Sequence, residues 1–277
     1  MVLPPGRPRV APPFPGPLPP TPLPRPAPPR LLPVRRRWRR RPPVVRLSQR
    51  GKVRPGPDDK HLAPTAPLWL RTARAAKGFM PEAEGMALYD AGLVVAPRRL
   101  GPLLEIGTYC GKSATYLGAA ARQTGAVLFS VDHHRGSEEI QPGWPHHDPE
   151  VVDPVTGLID TLPFARRTIR TAGLETSVVL VVGESCQVAG AWAAQLSLLF
   201  IDGGHGADVA WADYLCWAPK VAPGGTLALH DVFADPAEGG QVPFEIFCQA
   251  RGSGEWREAG AVGSLRLLHR TPTAPLA

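Results

Sequence analysis

The sequence predicts an α/β fold: a doubly wound, mostly parallel seven-stranded sheet with helices on both faces and an antiparallel C-terminal hairpin. Three observations predict it. From about Leu103 onward, short apolar runs alternate with helical segments, the pattern of βα units in a parallel sheet. The runs are apolar throughout rather than alternating, so both faces of the sheet must be covered. The last two strand-like runs are separated only by Gly263, which asks for a hairpin.

The elements follow in order. Leu68 to Lys77 is expected to be helical, and Pro81 is placed to open a second, short helix. Leu103-Leu104-Glu105-Ile106 is the first strand, ended by Gly107. The Ala-rich stretch Ser113 to Arg122 makes a helix, and Ala126 to Val131 a second strand ending at Asp132. A long polar insertion covers residues 133–160. A loop of that length in a compact domain suggests a lid, a binding loop or a disordered segment, with a plain solvated surface loop as the alternative. Its Trp144-Pro145-His146-His147-Asp148 content suits a substrate cover, but adjacent histidines lack the i,i+4 spacing of a helical zinc pair. Then come a helix over Phe164 to Ala172, a strand over Ser177 to Val182 and a short helix over Val188 to Ala194. A strand over Leu196 to Ile201 and a helix over Val209 to Val221 complete the fourth unit. Pro223-Gly224-Gly225 announces a strand over Thr226 to Leu229, followed by a helix over Phe244 to Ala250. Glu255 to Val262 and Ser264 to His269 form the hairpin.

Composition divides the chain. Proline numbers 35 of 277 residues, well above the usual level of about 5%. Residues 1–67 are rich in Pro and Arg, with the cluster Arg35-Arg36-Arg37-Trp38-Arg39-Arg40-Arg41, and they cannot build a core. They are expected to be a disordered tail, with 68–277 as the folded domain, its core at about 100–270 and its N-terminal helices at 68–99. Up to Arg54 the net charge is +14, and the remainder carries −7. The overall basicity therefore describes a basic tail on an acidic domain, which argues against nucleic acid as a partner of the core. No apolar run approaches the roughly 18 residues of a membrane span, and residues 1–30 hold no uninterrupted apolar stretch of the secretory kind. Cys110, Cys186, Cys216 and Cys248 form no C-x-x-C pair, which excludes a zinc ribbon or redox motif. They read as buried thiols of a cytoplasmic protein.

The residues that carry chemistry fall where these strands end, the rim at which open sheets bind ligands. Glu105-Ile106-Gly107-Thr108-Tyr109-Cys110-Gly111-Lys112-Ser113 joins the first strand to its helix. Gly107 permits a tight turn and Gly111 a close backbone approach to a ligand. The spacing is neither G-x-G-x-x-G nor the phosphate loop G-x-x-x-x-G-K-[ST], which disfavours dinucleotide and nucleotide phosphate binding. Asp132, 25 residues after Gly107, is placed to bind both hydroxyls of a ribose. Gly183-Glu184-Ser185 ends the third strand, where Glu184 or Ser185 could contact an adenine ring. The fourth strand delivers Asp202-Gly203-Gly204-His205 and the fifth His230-Asp231. Carboxylates and imidazoles on adjacent strand ends can hold a divalent ion, and without one His205 or His230 could serve as general base.

This order of motifs, over about Leu103 to Arg270, resembles class I S-adenosylmethionine-dependent methyltransferases. It is similar in particular to the family 24 methyltransferase group, itself similar to catechol-type O-methyltransferases. The resemblance implies a Rossmann-like fold and S-adenosylmethionine as cofactor. It implies that Glu105, Gly107 and Gly111, with Thr108 and Ser113 from the same turn, surround the methionine part. Asp132 would hold the ribose and Glu184 with Ser185 the adenine edge, with Asp202 also at the cofactor. In the catechol-type branch a divalent ion such as Mg2+ is held by an Asp after the fourth strand and an Asp-Asn pair after the fifth. Asp202 matches the first, and His230-Asp231 stands in place of Asp-Asn, so Asp202, His230 and Asp231 are the implied ligands. The family's catalytic lysine has no match between Gly206 and Asp208. His205 is the substitute base, and Asp202, His205 and His230 are the candidate catalytic residues.

The expected function is methyl transfer to a hydroxyl of a small-molecule acceptor. N-methylation on the same fold is the alternative enzyme. A cofactor-binding module without turnover, its basic tail attached to RNA or another anion, is the non-enzymatic one. A homo-oligomer is compatible with the sequence.

Overall fold

A computed structural model describes residues 66–272; the expectations for the basic Pro/Arg-rich tail before them lie outside the described residues. Two helices open the described chain, α1 (Leu68–Ala75) and α2 (Glu82–Val95). They lead into β1 (Leu103–Ile106), α3 (Lys112–Thr124), β2 (Leu128–Asp132), α4 (Leu162–Thr171), β3 (Val178–Val182) and α5 (Ser185–Ala191). Then follow β4 (Leu196–Ile201), α6 (Ala207–Trp217), β5 (Val221–Leu229), α7 (Val242–Gly252), β6 (Trp256–Val262) and β7 (Leu265–Arg270). The strands form one sheet in the order β3-β2-β1-β4-β5-β7-β6. The first five run parallel, and β7 pairs antiparallel with both β5 and β6. The expected fold class is the observed one.

Strand periodicity sorts the core into two layers, because successive side chains point to opposite faces. Leu103, Leu198 and Phe200 face a layer built with Trp69, Leu88, Tyr116, Leu117 and Ile169 of α1 to α4. Leu104, Ile106, Leu199 and Ile201 face Ala189, Tyr214, Trp217, Ile246 and Phe247 of α5, α6 and α7. Strands β1 and β4 are buried along their whole length. Among the described residues no helix is long and apolar enough to cross a membrane.

Four expectations need correction. The helix opened by Pro81 is not short but runs for 14 residues. Its buried positions Gly85, Leu88, Gly92 and Val95 lie on one face, and the glycines let it pack tightly on α3. A Cβ on Gly85 would lie 2.4 Å from the Tyr116 ring, and one on Gly92 2.8 Å from Ala120. Strand β5 begins at Val221, five residues before the expected Thr226, because Pro223-Gly224-Gly225 sits within an irregular register where the pairing jumps from Leu196 to Leu198. A proline is tolerated at such a bulge. The insertion is not a solvated loop: Ile140, Val151 and Ile159 bury with Cys110 in a small core of their own. The cysteines are not four buried thiols. Cys186 of α5 and Cys216 of α6 are joined in a disulfide with Cα atoms 5.8 Å apart, while Cys110 is buried and Cys248 exposed. A spacing of 30 residues carries no pairing signal; the packing of α5 on α6 makes it.

Candidate functional site

The strand order reverses between β1 and β4, and a cavity of about 980 Å3 opens at the carboxyl ends of the strands there, as expected at a topological switch point. Its wall includes Gly107, Thr108 and Ser113 from the β1–α3 turn, Asp132 after β2, and Glu184 and Ser185 after β3. Asp202 and His205 after β4, and His230 and Asp231 after β5, line the same cavity.

The β1–α3 turn is held by geometry that only its own residues satisfy. Gly107 has φ 93°, and a Cβ there would lie 2.0 Å from the Asp202 carbonyl oxygen. The close approach of the β1 and β4 loops therefore requires glycine. Gly111, φ 87°, is a turn residue at the start of α3; its missing Cβ faces Ala165 of α4, not the cavity. Tyr109 and His134 also have positive φ. Asp132 holds both: the Tyr109 N–H donates to Oδ2 at 2.8 Å and the His134 N–H to Oδ1 at 2.7 Å. One carboxylate thus fixes the turn after β1 and the start of the insertion while keeping lone pairs for a ligand.

Glu105, expected at the cofactor, is fully buried beneath the turn and does not reach the cavity wall. Ser130 Oγ donates to Glu105 Oε1 at 2.6 Å and shares a short hydrogen bond with Thr108 Oγ1. The influence of Glu105 on the cavity therefore passes through Ser130 and Thr108. Burial pushes its carboxyl up to about 8. At the end of the rim formed after β3, Arg135 donates to the Glu184 carboxylate and Trp217 Nε1 donates to Ser185 Oγ at 2.8 Å.

At the ends of β4 and β5, Asp202, His205, His230 and Asp231 cluster with Glu84 of α2 and Glu139 of the insertion: four carboxylates and two imidazoles. His230 is buried, and its Nε2 lies 2.6 Å from Glu84 Oε2 of α2. Its Nδ1 lies 2.9 Å from Asp202 Oδ1 and 3.3 Å from Asp231 Oδ2, close ion pairing without hydrogen-bond alignment. Burial opposes charge on the ring, but Asp202, Asp231 and Glu84 outweigh it and raise His230 to about 12. Glu84 Oε1 in turn accepts from Ser264 N–H at 2.6 Å. Although burial opposes ionisation, these partners hold the Glu84 carboxyl below its ordinary range. His205 Nε2 lies 3.0 Å from Asp231 Oδ2, and its Nδ1 3.1 Å from Glu139 Oε2 of the insertion. Against the cost of burial, Asp231 and Glu139 raise His205 to about 10. Burial raises Asp202.

The donor atoms that converge within 4.8 Å of one another belong to Asp202, His205 and Asp231. This differs from the implied set in one member. His230 is not among them: its Nε2 is turned to Glu84 of α2, and a ring raised to about 12 already holds its proton and cannot take one as a base. Asp231 has φ 53°, an uncommon conformation that aspartate tolerates. The O, N, O donor set with an excess of negative charge fits a divalent cation.

Sequence reasoning missed Glu84, Glu139 and Asp213 as parts of this rim. Asp213, in α6, is buried on the cavity wall, with a carboxyl raised to about 6 by burial. An acid inside an otherwise apolar helical stretch was the one available signal.

The fold and the cavity at its switch point are those expected of a class I S-adenosylmethionine-dependent methyltransferase. Residues 104–232 match the family 24 model described as a methyltransferase domain. Over those residues, just under half of the chain, the sequence is similar to that family group. Its fold is similar to that of a Corynebacterium glutamicum protein, with a TM-score of 0.55 and 15% identity over 75% of this chain and 92% of that one. It is similar also to the O-methyltransferase NovP, at TM-score 0.52 and 16% identity over 67% and 78% of the two chains. The SAH-bound methyltransferase PaMTH1 of Podospora anserina matches at TM-score 0.50 and 14% identity over 80% and 100%. At these identities the likeness is one of fold.

Proposed function

We propose that this domain moves the methyl group of S-adenosylmethionine to a hydroxyl oxygen of a small molecule, with a divalent cation held by Asp202, His205 and Asp231. The observation that carries this reading is that Gly107, Asp132 and Asp202 open on one cavity. Its volume, about 980 Å3, lies at the upper end of ordinary ligand sites, which suits a donor and an acceptor side by side. The O-methyltransferase named among the fold relatives supports the choice of oxygen.

In this reading Asp132 takes the ribose hydroxyls, Glu184 and Ser185 the adenine edge, and Thr108 and Ser113 the amino-acid end. Phe79 and Met80 of the α1–α2 connection, with Ile140 and His146 of the insertion, line the cavity and in this reading wall the acceptor side. Phe79 meets His146 edge-on with ring centroids 5.1 Å apart, which brings the two segments together beside the site. Transfer is an in-line displacement: the acceptor oxygen–carbon bond forms as the sulfonium–carbon bond breaks, the sulfur keeps the bonding pair as S-adenosylhomocysteine, and the hydroxyl proton passes to water. The enzyme's part is alignment and deprotonation. A bound divalent cation supplies the charge that lowers the hydroxyl pKa. His205 is assigned as a ligand rather than the base, because its Nε2 points into the carboxylate pair and a cation there takes the place of the Nε2 proton.

Calorimetric titration with S-adenosylmethionine, with and without Mg2+ and beside NAD as control, tests this. Saturable binding of the donor but not of NAD is expected. Asp132→Asn should weaken the donor at least about tenfold through loss of charged hydrogen bonds. No donor uptake, or preference for NAD, overturns the reading.

A further inference from the structure

We propose that Glu139 of the insertion is the positioning residue that sets the cation affinity of His205, so that an element supplying no ligand controls the site. The inference rests on the cation reading given above. His205 lies in the segment Gly203-Gly204-His205-Gly206, whose glycines leave the backbone free to take many conformations. Glu139 removes that freedom from two directions. Its Oε1 accepts the His205 backbone N–H at 3.1 Å, and its Oε2 faces ring Nδ1 at 3.1 Å. One carboxylate therefore grips both the main chain and the ring of a single residue. With Nδ1 occupied as the donor, Nε2 is the nitrogen presented to Asp231, 3.0 Å away, and to the converging oxygen of Asp202. A carboxylate behind a ligating imidazole fixes its tautomer and orientation and raises its basicity.

The grip is rigid because its base is packed. Glu139 sits in a single 3-10 turn, Glu138–Ile140. Ile140 buries in the small core with Cys110, Val151 and Ile159. Gln141 Nε2 donates to the Arg135, Gly136 and Ser137 carbonyls at 3.1, 3.2 and 3.2 Å, which ties the turn to the chain before it. Glu138, one residue away, is exposed. Cation affinity therefore depends on the seating of the insertion, whose Ser137, Ile140 and His146 also line the cavity.

The test is titration of Mn2+ into the metal-stripped full chain, without donor or acceptor, with free Mn2+ read by electron paramagnetic resonance. Glu139→Gln should weaken binding roughly 10- to 100-fold and diminish the imidazole-nitrogen modulation in the pulsed spectrum of bound Mn2+. Glu138→Gln removes the same charge from the same turn and should keep the wild-type affinity. Asp231→Asn should abolish binding. Thermal midpoints in chelator should match between wild type and Glu139→Gln; if that variant melts early, Glu139→Asp, which keeps the charge but shortens the reach, should weaken binding as well. Equal losses in the two glutamine variants would attribute the effect to charge alone and overturn the inference. Wild-type affinity in Glu139→Gln alongside lost binding in Asp231→Asn would overturn it while the cation reading stands. No Mn2+ uptake by the wild type would overturn both.

Discussion

Gly107 and Glu105 show how single residues set the rim. Gly107→Ala places a Cβ at φ 93° and 2.0 Å from the Asp202 carbonyl. The strained backbone alone costs about 1–2 kcal/mol, and the collision forces β1 and β4 apart. Loss of more than about 2 kcal/mol in chemical denaturation, together with lost donor binding in calorimetry, is expected. Glu105 gives a pH signature. Its carboxyl is raised by burial from 4.5 to about 8, so the folded state holds the proton more tightly than the unfolded chain. Its contribution to stability is complete below about 4.5 and is lost as pH rises toward about 8, with a slope of at most about 1.4 kcal/mol per pH unit. Glu105→Gln, which mimics the protonated group, should flatten the decline in thermal midpoint between those limits. An unaltered decline would assign the effect to other groups. The first of these features was half legible: a glycine after a strand marks a turn, but which carbonyl it must pass is a property of two strands distant in sequence.

At the scale of elements, α2 does more than cover the sheet. It delivers Glu84 to His230 and to the Ser264 N–H at the β6–β7 turn. That buried carboxylate joins an N-terminal helix, a central strand end and the C-terminal hairpin. Removing one partner of a buried ion pair strands the other charge, so Glu84→Ala should cost about 3 kcal/mol or more, measured by urea unfolding. Glu84→Gln, which can still accept from Ser264, should cost less. An equal loss in both variants would mean that the charge itself matters more than the hydrogen bonds. The sequence concealed the length of α2 because Gly85 and Gly92 interrupt a helical reading while serving helix packing. It concealed Glu84 because an acid in the first turn of a helix is ordinary at that end of the macrodipole.

For the molecule as a whole, the residues assigned to donor, cation and acceptor lie between Lys77 and Gly240. A chain beginning at residue 66 is therefore expected to bind S-adenosylmethionine with unchanged affinity by calorimetry. Weakened donor binding would mean that the basic segment takes part in the site. Lost affinity for RNA with intact donor binding would give that segment an attachment role of its own.

The amino-acid order by itself determined the alternation of strands and helices, the glycine turn after the first strand, and the polar residues that each strand end would offer. These are local properties: apolar runs, turn residues and spacing act over a few neighbours and are written contiguously. The tertiary structure alone decided which of those offered groups share a proton or a contact. His230 turns to Glu84 across 146 residues and His205 to Glu139 across 66, so each partner is chosen by packing. Electrostatic interaction depends on distance and burial, and neither is fixed until the sheet has brought its strand ends together.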